Sequence, residues 1–184
     1  SVKFVVEQGE TEKATGMIHA LIALLQSALG NIQQTITVEQ ELMNTKHYVL
    51  INQARFGDRI KVNYLISPDC LNLYIPKLVL QPFIENAFFH AFNIKKEGVI
   101  QILMASKAQK LVCEIVDNGD GMETNKDRFT SHLKGKRHLF SGIGISNVQE
   151  RIQLLYGDEY GVKIFSEQNE GTRVKIELPL LEKA

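Results

Sequence analysis

The 184-residue chain has no tryptophan, four prolines and two cysteines. Cys70 and Cys113 stand far apart, with no CxxC or Cys/His spacing. That argues against a disulfide framework and against a zinc site, and reduced cytosolic thiols are the expectation. Neither charge is in excess, because 21 basic residues balance 21 acidic ones, so bulk charge recruits no nucleic acid. No apolar run reaches the roughly 20 residues of a membrane-spanning helix. The longest candidate, MIHALIALLQSALG (17 to 30), is shorter and carries a helical stripe. The opening SVKFVVEQGETEK has an acidic second half, unlike a signal peptide, and a start at Ser1 without Met reads as a piece of something longer. No internal repeat or low-complexity tract occurs. With 44% hydrophobic and 23% charged residues, the chain can build one good core, or one domain with an appendage.

Two unequal parts follow from the apolar pattern. Ala14, Met17, Ile18, Leu21, Leu25 and Ala28 recur at helical offsets, and Gly30-Asn31 stops that helix. Thr37 with Gln40 forms a capping-box pattern opening a second helix through Val38, Leu42, Val49 and Phe56, closed by Gly57-Asp58. Two amphipathic helices in succession make a helical hairpin, often half of a bundle or a dimer interface. After Arg59 the period becomes two. RIKVNYLI alternates, GVIQILMAS and KLVCEIVD pair as a hairpin across 107 to 110, and GVKIFSEQ and TRVKIELPL pair across Asn169-Glu170-Gly171. Helices are expected near 76 to 92 and 145 to 156. The fold class is α+β: a two-layer α/β sandwich, its mixed and mostly antiparallel sheet covered on one face by helices, plus the N-terminal hairpin. Residues 1 to 57 are the helical part and 58 to 184 the sandwich. Residues 122 to 142 are polar, basic and aperiodic, and loops of that length are usually functional, often lids.

Four motifs interrupt this pattern. In LQPFIENAFFHAF (80 to 92), Phe83, Ile84, Ala87, Phe88 and Ala91 share the arc that faces the sheet. Asn86 and His90, four apart, lie together away from Ile84, with Phe89 beside them as though something apolar or flat covered that face. In VDNGDGM, Asp117 at a strand end is followed by Gly119, Gly121 and Met122, so a carboxylate can grip a donor while backbone approaches a ligand; a plain β-turn is the simpler alternative. SGIGISNVQER places Gly142, Ile143 and Gly144 at a helix start, where free N–H groups and the dipole attract anions. Asn147 holds the third-glycine position of a Rossmann fingerprint and no GxxxxGK[ST] occurs, so neither common nucleotide loop applies. The fourth motif is Gly171-Thr172 at the last hairpin, which means nothing alone.

In this order the motifs resemble the N, G1, G2 and G3 boxes of the Bergerat (GHKL) ATP-binding fold, over roughly residues 59 to 180. The wording of LQPFIENAFFHAF, VDNGDGM, GIGISNVQERIQLLYG and YVLINQARFGDRI is similar to LytS/YesM-type sensor histidine kinases, over nearly the whole chain. That resemblance implies ATP and Mg²⁺ as ligands, and a two-component phosphorelay in which the γ-phosphate passes to a histidine and then to a response regulator Asp. Asp117 would accept from the adenine amino group, with Gly119, Gly121 and Met122 around the base and Thr172 in support. Asn86 would ligate Mg²⁺, and His90 would lie near the phosphates or ribose. Gly142, Ile143 and Gly144 would meet the phosphates, with Lys134, Lys136 and Arg137 of the lid as γ-phosphate partners.

Two departures from the family pattern stand out. Phe89 replaces a lysine common in relatives. Pro82 stands where the hydrolytic cousins keep a catalytic Glu, leaving Glu85 as the fallback base beside Asn86. None of His19, His47, His90, His132 or His138 lies in a Pro-His-Phe type box, so the phosphoacceptor is expected upstream and this chain is not expected to autophosphorylate. The resemblance further implies a homodimer through the N-terminal helices and a cytoplasmic location, the chain being joined to a bacterial plasma membrane only through segments before Ser1. A degenerate module that only dimerises or binds nucleotide, and a GHKL ATPase, are the other readings.

Overall fold

The computed structural model describes residues 2–29, 34–95, 97–122 and 143–183, apart from the side chains of Arg55, Asp58 and Ile143. The chain opens with helices α1 (Val2–Glu7) and α2 (Thr11–Leu29). A three-residue strand β1 (Thr35–Thr37) then runs directly into α3 (Val38–Phe56). The capping box forms as the spacing predicts: the Gln40 N–H donates to the Thr37 hydroxyl at 3.2 Å, and the Thr37 N–H donates to the Gln40 side chain at 3.1 Å. At the other end, Gly57 takes φ 65 and its N–H returns to the Gln53 carbonyl.

The sheet comprises β2 (Ile60–Ile66), β4 (Gly98–Lys107), β5 (Lys110–Asp117), β6 (Gly161–Glu167) and β7 (Gly171–Pro179), ordered β2-β4-β5-β7-β6. β2 runs parallel to β4, and the other neighbours are antiparallel. Both expected hairpins are present. The turn between β4 and β5 is made by Ala108 and Gln109 at φ 50 and 59, positions usually given to Asn and Gly. Burial alternates along β4, β5 and β7, so one face carries Ile100, Ile102, Met104, Cys113, Ile115, Val174 and Ile176 into the core. Helices α4 (Gln81–His90) and α5 (Ile143–Tyr156) lie against that face through Ile84, Phe88, Val148 and Ile152. The mixed, mostly antiparallel two-layer sandwich is therefore present, with the helical hairpin before it.

Two features differ from the expectations. The helix foreseen near 76 to 92 begins only at Gln81. Residues before it form β3 (Tyr74–Pro76), which pairs with β1 in a separate two-stranded ribbon. Leu78 then takes φ 57, which no helix accommodates. Second, α3 belongs to the sandwich core as much as to the hairpin. Val38, Leu42 and Val49 are in the same buried cluster as Ile60, Ile84 and Phe88. α2 differs: Ala14, Met17 and Ala20 are buried, while Ile18, Leu21, Ile22, Leu25 and Leu29 stay exposed. Cys70 and Cys113 are buried and free, and no described helix is long and apolar enough to cross a membrane.

Candidate functional site

The rotation of α4 is set by what it buries. Phe83, Ile84, Ala87 and Phe88 are inside, which leaves Asn86 half-buried and Glu85 and His90 exposed. The cover expected over Phe89 is Phe56, from the end of α3. The two rings meet edge-on with centroids 5.6 Å apart, and Phe88 lies against the same ring at 5.7 Å. Glu85 faces α3 closely enough for its charge to act on Tyr48. Burial first, and that charge second, push the Tyr48 hydroxyl up to about 12.

α4 has no side-chain cap of its own. Its entry is held from α3, where the buried Glu41 carboxylate accepts the Leu78 N–H at 2.9 Å and the Leu80 N–H at 3.1 Å. An anion at a helix start suits both the free N–H groups and the dipole. The first turns of α4 and α5 also meet, since a Cβ placed on Gly144 would lie 3.3 Å from that of Pro82. The position without a carboxylate thus lies beside the glycine that opens the next helix.

Asp117 ends β5 and is 7% exposed. Both of its described hydrogen bonds land on Oδ1, from the Gly119 N–H at 2.9 Å and the Thr172 N–H at 3.3 Å. Burial pushes its pKa above the ordinary aspartate value. The two N–H donors and the Lys95 charge oppose that shift, and the Asp120 carboxylate adds to it. The glycines after Asp117 are required by backbone neighbours: a side chain on Gly119 would strike the Ala91 carbonyl, and one on Gly121, at φ 62, the Glu167 carbonyl. The Thr172 hydroxyl lies 3.0 Å from that of Ser166, which also accepts the Met122 N–H at 3.0 Å and bonds to the Gly171 carbonyl at 3.0 Å. The loop from 117 to 122 and the β6–β7 hairpin are therefore one unit.

Several residues of this unit were not among the site residues expected from the sequence. Asp120 accepts the Ile94 N–H at 2.7 Å and the Lys95 N–H at 3.0 Å. Slight desolvation raises its pKa, but the N–H groups of Ile94, Lys95 and Asn93, with the Lys95 charge, outweigh this and leave it below the ordinary value. Asn118 accepts the Val99 N–H at 2.7 Å, joining the loop to the start of β4. Lys95, which no sequence motif singled out, donates to three carbonyls of the unit. Asp117, Gly119, Gly121, Met122 and Thr172 thus come together at one end of the sheet, close to the end of α4. Lys134, Lys136, Arg137 and Gly142 lie outside the described residues, as does the side chain of Ile143.

A mixed sheet with helices on one face, a strand-end aspartate over a glycine loop, and a terminal Gly-Thr hairpin are the features on which comparison with known proteins bears. Residues 75–182 match the family model described as histidine kinase-, DNA gyrase B- and HSP90-like ATPase, and residues 1–60 match the histidine kinase model. The chain belongs to this family, among its YesM and LytS sensor kinases. It is 32% identical to the sensor histidine kinase YesM of Bacillus subtilis over 97% of its length and 30% of that protein's. It is 34% identical to the sensor protein LytS of Staphylococcus saprophyticus over 92% of its length and 29% of that protein's. The chain thus spans about 30% of the length of these relatives. Among solved structures, the histidine kinase domain of the blue-light activated kinase of Erythrobacter litoralis EL346 shares the fold, with a TM-score of 0.58 at 19% identity, covering 95% of this chain and 83% of that one.

Proposed function

We propose that this chain binds ATP with Mg²⁺ and directs the γ-phosphate to a histidine outside residues 1 to 184, for relay to a response regulator aspartate. The carrying observation is Asp117, a buried carboxylate whose described bonds both use Oδ1. Its other oxygen suits the exocyclic amino group of adenine, and Gly119, Gly121, Met122 and Thr172 shape the base end. Asn86 offers a neutral amide oxygen, a hard donor fitted to Mg²⁺ held jointly with phosphate oxygens and water. The described residues contain no cluster of three His, Cys, Asp or Glu for a fully protein-held metal, which suits a cation that arrives with the nucleotide. When bound, Mg²⁺ neutralises phosphate charge.

The chain's own residues position the nucleotide. His90 lies one turn beyond Asn86, toward the ribose or phosphates. Ile143 and Gly144 begin α5, and with Gly142 they are assigned to the phosphate chain; Lys134, Lys136 and Arg137 are assigned as γ-phosphate partners. Phosphoryl transfer is mostly positioning and charge neutralisation. Pro82, packed beside Gly144, supplies no base to water, which suits a kinase that keeps its γ-phosphate for transfer; Glu85 is the fallback group beside Asn86. The 1 to 57 segment serves a homodimer through its helices, and the whole works at the cytoplasmic side of a bacterial membrane, reached through other segments of a longer chain.

Thermal melting with Mg-ATP and with Mg-free ATP tests this reading. Both should raise the melting temperature, Mg-ATP further, and Asp117→Asn should abolish both shifts. Because Asp117 must be ionised, affinity should be present above its raised pKa and fall as pH drops through it, at a pH above the ordinary aspartate value. Incubation with γ-labelled ATP should leave no stable acid-labile label on the chain. No melting shift with either nucleotide would favour the degenerate module instead.

A further inference from the structure

The Lys95 ammonium donates to the carbonyl of Asn118 at 3.0 Å, of Gly119 at 3.0 Å and of Asn169 at 2.9 Å. Two of these belong to the loop after Asp117 and the third to the β6–β7 turn. An ammonium has three N–H donors and no acceptor, so this cradle uses all of them. Three carbonyl oxygens converging on one point repel one another unless a cation lies between them. The lysine is itself held, because Asp120 binds its backbone N–H and that of Ile94 while Asp120's own N–H donates to the Ala91 carbonyl. The Asn169 N–H in turn donates to the Asp120 carbonyl. The end of α4, the aspartate loop and the last hairpin therefore converge on one side chain.

We propose that Lys95 is the positioning residue of the base pocket, tying the Asp117 loop to the β6–β7 hairpin so that the Asp117 carboxylate is held in place for the base. The inference rests on the nucleotide reading above. Lys95 touches neither base nor phosphate in this role. It acts through Asp117, whose Oδ1 is bonded from both halves that the lysine joins, Gly119 on the loop and Thr172 on the hairpin. The same charge opposes the protonation of Asp117, while Asp120 favours it.

ATP, ADP and adenosine titrated into wild type, Lys95→Met and Lys95→Arg test the role. Lys95→Met should bind all three about tenfold more weakly, the scale of one lost hydrogen bond to a charged group. The loss should be the same for each ligand, because only the base end has moved. The acid limb of ATP binding should shift to higher pH in Lys95→Met, which a purely structural tie would leave in place. Lys95→Arg keeps the charge but not the three-carbonyl fit, so affinity should fall less, with the limb unmoved. Should Lys95→Met not fold, Lys95→Arg carries the test alone, and wild-type affinity in it would overturn the proposal. Equal affinities and equal limbs in folded Lys95→Met, or a loss confined to ATP, would also overturn it. A wild-type chain that binds none of the three would instead overturn the nucleotide reading.

Discussion

α2 and α4 are written in the same code and reach different ends. Both carry apolar residues at helical spacing. α4 buries Phe83, Ile84, Ala87 and Phe88 in the cluster that includes Ile100, Ile152 and Ile176. α2 buries Ala14, Met17 and Ala20, and leaves a row of Ile18, Leu21, Ile22, Leu25 and Leu29 outside. Periodicity states which face of a helix is apolar, and only the rest of the fold states whether something within the chain covers it. The contrast separates a helix that makes the domain from one whose apolar row is left uncovered within it.

The sharpest way to break the comparison is truncation on the two rows. Ile84 is fully buried, so Ile84→Ala should lower unfolding stability by about 2 to 5 kcal/mol, through lost transfer energy and the cavity left behind. Urea denaturation followed by circular dichroism reads this directly. A loss well under that range would mean α4 is held chiefly by its ends rather than by its buried face.

Its ends are where the sequence was least legible. The periods of three to four and of two were enough to give both hairpins, the helix from Thr37 and the strand-end position of Asp117, because those signals are local. The start of α4 was placed too early because nothing local marks it. Its capping carboxylate is Glu41, 39 residues away from Leu80 and fixed only once α3 joins the core. The same reason hid Lys95: a lysine beside Ile94 in a polar stretch reads as solvated until Asn169, 74 residues on, is brought to it. The glycines of VDNGDGM were legible as special but not for the reason the structure gives, since Gly119 and Gly121 admit neighbouring carbonyls. Phe89 looked out of place until Phe56, at the end of α3, supplied its partner.

Glu41 therefore gives a second, smaller prediction. Glu41→Gln leaves one of the two N–H groups at the entry to α4 without an oxygen, a loss of about 1 to 3 kcal/mol. Burial raises the folded pKa of Glu41 above 4.5, while the N–H groups and the Arg151 charge work against the rise. The folded state then binds this proton more tightly than the unfolded chain. Its contribution to stability is present in full below the unfolded pKa and declines as pH rises through the raised folded value. Denaturation at about pH 4.5 and at neutral pH should find the gap between wild type and variant narrower at neutral pH. A gap that widens would place the folded pKa below the ordinary glutamate value.

The smallest effect on stability belongs to the exposed row itself. Leu25 is 51% exposed, so Leu25→Ser removes little surface that folding had buried, and the midpoint in urea should move by no more than about 0.5 kcal/mol. Its consequence should appear between molecules. Ile18, Leu21, Ile22, Leu25 and Leu29 follow offsets of three and four along one side of α2, which is the geometry of a helix seam. If the proposed homodimer uses that seam, sedimentation equilibrium should find the wild-type chain self-associating, and Leu25→Ser shifted toward monomer at the same concentration. A variant that kept both its stability and its association would remove α2 from the interface. A variant that lost stability as a monomer would mean that α2, like α4, is held by its own chain, and the contrast between the two helices would disappear.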